Sequence, residues 1–163
     1  MDNDPYKNYL TELYDETDLE IMRNSNESTT SGQDRLDEII AFAKKSGIKK
    51  IGIAHCISMT KEAGKLMEYL SRDFEVYSVG CKTGGILNKD ILGENYKGVS
   101  CNPAEQALYL AENETGLNIV MGLCVGHEIL FNKKSKALTT TFIVKDRKFK
   151  NNPFCIFQEN NIQ

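Results

Sequence analysis

From residue 49 onward the chain switches repeatedly between two hydrophobic periods, and that alternation restricts the folds open to it. Residues 49–54 form a short apolar run of strand character. Residues 61–72 follow, with Ala63, Leu66, Met67 and Leu70 at helical spacing. The cycle repeats with a strand at 74–79 and a helix opened by Asn102-Pro103, which carries Ala104, Ala107, Leu108 and Ala111 on one side. Gly116 ends that helix; a third strand at 117–123, a short helix at 126–134 and a fourth strand at 137–144, with three consecutive threonines, complete the pattern. Strands separated by helices imply right-handed crossovers. The expected architecture is an α/β fold with a mainly parallel, doubly wound sheet of Rossmann or flavodoxin type, about four to five strands with helices on both faces.

Residues 1–32 precede this pattern as an N-terminal helix and polar linker, and residues 33–163 are expected to form a single α/β domain. Asp4 as N-cap and Pro5 at the first helical position predict a helix reaching about residue 24, with Tyr6, Leu10, Leu13 and Tyr14 along one side. The run from Asn24 to Gly32 is too polar to offset its ordering entropy by burial and reads as a loop. A second helix carries Leu36, Ile39, Ile40 and Ala43 and ends at Gly47. No period is assigned beyond Asp146.

With 20 basic against 23 acidic side chains, the chain has no excess positive charge to neutralise phosphates or anionic lipid heads. Nucleic acid and membrane are therefore not expected as partners. No apolar stretch approaches the roughly 20 residues that span a bilayer, and the acidic start Met1-Asp2-Asn3-Asp4-Pro5 is unlike a secretory signal. A cytoplasmic location is expected, and there five cysteines are kept reduced rather than paired.

The cysteines are placed by topology. Cys56 follows the first strand, Cys81 the second and Cys124 the third, while Cys101 immediately precedes the helix after the second strand. In a parallel sheet the C-terminal ends of all strands lie on one edge, where such sheets bind ligands. Four thiols on that rim are expected to form one site for a soft or borderline metal, zinc or an iron–sulfur cluster. In Cys124-Val125-Gly126-His127 the glycine is expected to let the chain turn sharply into the helix, and His127 to serve as a ligand or proton donor. His55 reads as structural. Cys81-Lys82-Thr83-Gly84-Gly85 offers Gly84 and Gly85, with Gly126, as places where backbone amides could approach an anion or cluster. Cys155, between apolar neighbours, reads as packing. No phosphate-binding glycine motif and no serine-hydrolase motif occurs.

Ile48 to Ala54, Cys101-Asn102-Pro103, Asn118 to His127 with its L-C-V-G-H end, Ser135-Lys136-Ala137 and Val144 to Arg147 resemble a family of small prokaryotic proteins, frequent in anaerobes, described only as a metal-binding domain of unknown function. The resemblance spans about residues 33–153 and implies a cysteine-rich metal or iron–sulfur protein. Members usually carry further cysteines near the N-terminus, paired cysteines where Gly80-Cys81 stands, and a histidine where Asn151 precedes Asn152-Pro153. This chain has none of these and looks like a diverged member. Three functions follow as expectations: a metal or iron–sulfur protein acting on a small molecule by redox or sulfur chemistry; a metal-free module holding an anion through Gly84-Gly85 and Gly126-His127; and a thiol-based redox protein using Cys124.

Overall fold

Four strands, β1 (Lys50–His55), β2 (Glu75–Gly80), β3 (Leu117–Met121) and β4 (Leu138–Ile143), lie side by side in the computed structural model, which describes Tyr9 and residues 11–158. All pair in parallel, in the order β2-β1-β3-β4. The central pair is apolar on both faces: Ile51–His55 and the whole of β3 are buried. The edge strands β2 and β4 are only partly buried, which is why the threonines Thr139–Thr141 are tolerated in β4. Between Val120 and Met121 the register with β4 slips by one residue, so that Met121 pairs with Ile143.

The connections are helices: α3 (Thr60–Leu70) joins β1 to β2, α5 (Pro103–Glu112) joins β2 to β3, and α6 (Val125–Lys134) joins β3 to β4. The first connection runs outward from β1 and the second runs back across it. Right-handed crossovers therefore place α3 on one face and α5 with α6 on the other. The direction of winding reverses between β1 and β3, which makes the ends of those strands the topological switch point. Gly52 permits the close seat of α5, since a Cβ there would stand 2.8 Å from Leu110 Cδ1 and collide with Asn118 Oδ1. Between β2 and α5 the chain makes an excursion containing a five-residue helix, α4 (Asn88–Leu92), closed by an antiparallel bridge between Leu87 and Val99.

The described residues up to Gly47 and those from Ile48 onward are separate compact units. In the first, α1 (Glu16–Ser28) and α2 (Arg35–Lys45) pack together. The expected start at Asp4-Pro5 lies outside the described residues. The expected loop at residues 24–32 is instead helical through Ser28. Its polar side chains find partners: Asn24 Nδ2 donates to Ser46 Oγ at 3.2 Å, Glu27 pairs with Lys45, and the buried Ser28 donates from Oγ to Ser25 O. A capping box between Asp15 and Asp18 starts α1, and Asp34 caps α2. Among the described residues no helix is long and apolar enough to cross a membrane.

Candidate functional site

Cys56 and Cys124 flank the switch point in matching conformations. Each follows a central strand, and each has extended backbone (φ −65°, ψ 146° and φ −67°, ψ 146°) as the N-cap of the helical turn that follows, the 3-10 turn Ile57–Met59 or α6. Cys56 N donates to Met121 O at 3.0 Å, which ties the first loop to the end of β3. The sharp turn after β3 is made by Gly122 at φ +62°, not by Gly126, which lies inside α6. The expectation for Gly126 misplaced the turn because the strand ends at Met121, two residues sooner than its apolar run.

Both thiols are joined to cations from one short segment after β4. Lys145 Nζ donates to Ser58 Oγ at 2.8 Å, and the Ser58 hydroxyl donates to Cys56 Sγ at 3.3 Å. Arg147 Nη2 donates to Cys124 Sγ at 3.1 Å. A folded turn delivers these cations. Asp146 Oδ1 accepts from the amides of Lys148 and Phe149, Asp146 N donates to Asn151 Oδ1, and Asn151 N returns to Asp146 O. Asn151 Nδ2 in turn lies 3.9 Å from Met59 Sδ, on the loop that carries Cys56 and Ser58. Burial opposes ionisation of the Cys56 thiol, but the Ser58 bonds and the Lys145 ammonium outweigh it and hold the thiol below its ordinary range.

A second thiol group lies at the end of β2. Cys101 Sγ contacts Cys81 Sγ at 3.7 Å, and the Ile57 amide donates to Cys81 Sγ at 3.3 Å. Cys81 is buried, and burial pushes its thiol up to about 11, with the Cys101 and Cys56 sulfurs adding to the rise against the Ile57 hydrogen bond. Gln106, fully buried on α5, binds the two strand ends together by donating from Nε2 to His55 O at 3.2 Å and Val79 O at 2.9 Å. His55 is buried, its Nδ1 is 2.9 Å from Cys56 O, and its ring lies against Gly80, where a Cβ would approach Cε1 to 3.3 Å.

Thus Cys56, Cys81 and Cys101 share one apolar cluster, and Cys124 stands with Arg147. His127 is half-buried in the first turn of α6, with no hydrogen bond to a sulfur. Gly84 and Gly85 have positive φ (72° and 62°) in the turn Thr83–Gly85, and Gly84 lies beside Asn102 and the Glu105 side chain, whose carboxylate opposes an anion there. The 3.7 Å contact is close to one edge of a tetrahedral thiolate site, for which zinc–sulfur bonds of about 2.3 Å give sulfurs about 3.8 Å apart. Among the described residues, however, no three His, Cys, Asp or Glu side chains converge as metal ligands. Sequence reasoning gave Ser58, Lys145, Arg147 and Asn151 no part in the site. Two basic residues flanking Asp146, with Asn151 five positions on, are the signal that could have found that turn.

The family described as "Protein of unknown function (DUF1847)" matches residues 2–142. The match takes in α1, which the resemblance over about residues 33–153 left out, and stops before Lys145 and Arg147. An uncharacterized protein of Methanocaldococcus jannaschii is 54% identical over 123 residues, covering 72% of this chain and 63% of that relative, so the chain spans under two thirds of its length. No solved structure matches the chain. The protein belongs to the DUF1847 family.

Proposed function

We propose that this protein binds a small anionic molecule at the switch point between β1 and β3 and acts on it through cysteine thiol chemistry, with Cys56 as the reactive thiolate. The observation that carries this reading is the attachment of a cation to the thiol on each side of the switch point, Lys145 through Ser58 to Cys56 and Arg147 to Cys124. A thiolate is the nucleophilic form of cysteine, and neighbouring cations both favour it and attract an anionic reactant. The α6 N-terminus beside Cys124 adds favourable dipole on the same side. Iodoacetate, an anion, and iodoacetamide, its neutral counterpart, test the reading directly. Relative to denatured protein, Cys56 is expected to prefer iodoacetate, and Lys145→Met together with Arg147→Met to abolish the preference. The same ratio of rates in folded wild type and double variant would reject the reading.

A second reading, a zinc or iron–sulfur protein, is favoured by the Cys81–Cys101 contact at ligand spacing. Metal and sulfide measured per chain on protein prepared without oxygen test it. A chain that retains neither after reconstitution leaves the thiol reading alone.

A further inference from the structure

Outside the pair of thiols at the switch point, Cys81 and Cys101 stand in van der Waals contact, sulfur to sulfur, at 3.7 Å. The backbone on either side of Cys101 is pinned. Ser100 N donates to Ile86 O at 2.8 Å, and Asn102 N donates to Cys81 O at 2.8 Å. The two cysteines are therefore held side by side by main-chain bonds that do not depend on their sulfurs. A disulfide has its sulfurs about 2.05 Å apart, so closure needs side-chain rotation and a movement under 2 Å, not rearrangement of strand or helix. Access is unequal: Cys81 is 2% exposed, whereas Cys101 is partly exposed.

We propose that Cys81 and Cys101 are a reversible redox pair that closes to a disulfide by exchange with a low-molecular-weight disulfide. Cys101, the accessible thiol, attacks the reagent as its thiolate. A mixed disulfide forms at Cys101 and one reagent thiolate leaves. Cys81 then gives up its proton to solvent and attacks the Cys101 sulfur, forming the internal bond and expelling the second reagent thiolate. The two cysteines lose two electrons and two protons, and the reagent disulfide gains them as two thiols. The closed bond ties the start of the excursion between β2 and α5 to its end. The inference is independent of the chemistry assigned to Cys56 and Cys124.

The full-length protein, incubated with oxidised glutathione, blocked with iodoacetamide and digested without reductant, decides the matter. The expected product is one intramolecular link between the peptides carrying Cys81 and Cys101, with two thiols lost per chain and both regained on reduction. In Cys81→Ser the resolving thiol is gone, and Cys101 is expected to remain as a mixed disulfide with glutathione. The proposal is overturned by a wild-type chain in which Cys101 stays glutathionylated or unmodified, or in which the link joins Cys56 or Cys124 instead. The wild-type peptide map alone is decisive, so the result does not depend on the variant folding.

Discussion

Met59 and Gly122 meet where the loops after the two central strands pass each other, and Met59 in turn touches Asn151. A Cβ on Gly122 would stand 2.7 Å from Met59 Sδ, and its φ of +62° is unfavourable for any residue with a side chain. Gly122→Ala is expected to lower stability by about 1–2 kcal/mol in denaturant unfolding. It is also expected to weaken the iodoacetate preference, because Met59 supports Asn151 and hence the turn that carries Lys145 and Arg147. The Cys56 thiol provides a pH test. Its thiolate is the charged form, and since its pKa is lowered in the fold, it contributes stability above the ordinary thiol pKa of about 8.5 that is lost as pH falls through the lower folded value. Alkylation of Cys56 in the folded protein should therefore reach half its maximal rate at a lower pH than in the denatured chain. Lys145→Met removes one of the groups favouring the thiolate and should move that midpoint upward; an unmoved midpoint would show that the ammonium has no part in it.

At the scale of elements, Gly52 lets α5 and the Asn118 side chain of β3 come close to β1. Gly52 faces Leu110 and Asn118, both buried and without room to yield, so Gly52→Ala is expected to cost about 2–3 kcal/mol by overpacking. Gly64, on α3, has open space around it, and an alanine there should be neutral or stabilising. Thermal denaturation of the two variants side by side separates packing from propensity. These elements were legible because their periods are strong: all four strands lie within one or two residues of the positions expected from the sequence. The continuation of α1 through Asn24–Ser28 was not legible, because its polar residues are held by hydrogen bonds and an ion pair to α2, contacts that a hydrophobic period does not record. The helix α4 was missed for another reason, since five residues complete little more than one turn.

On the scale of the whole molecule, strand order decides how the rim thiols are distributed. Sequence spacing placed Cys56, Cys81 and Cys124 at the ends of successive strands and so on one edge, but it carried no information about where each strand lies along that edge. With the order β2-β1-β3-β4 and neighbouring strands about 4.8 Å apart, the ends of β2 and β3 are separated by about 10 Å. A tetrahedral thiolate site needs its sulfurs within about 4 Å of one another. The ends of β2 and β3 are thus one strand apart, while Cys101, brought back by the bond from Asn102 N to Cys81 O, reaches contact distance with Cys81. The same order leaves Cys124 to Arg147 and to the switch point. The metal content of a cysteine-to-serine series, reconstituted with zinc or with iron and sulfide, follows from this arrangement. Serine nearly keeps the volume of cysteine but replaces a soft thiolate with a hard hydroxyl, so it removes a ligand with little loss of packing. Whatever metal the wild type retains should be lost in Cys81→Ser and in Cys101→Ser and kept in Cys124→Ser and Cys155→Ser. Loss in Cys124→Ser with retention in Cys101→Ser would mean that the ends of β2 and β3 are bridged by a cluster large enough to span them, and would reassign the chemistry of the rim from separate thiol pairs to a single centre.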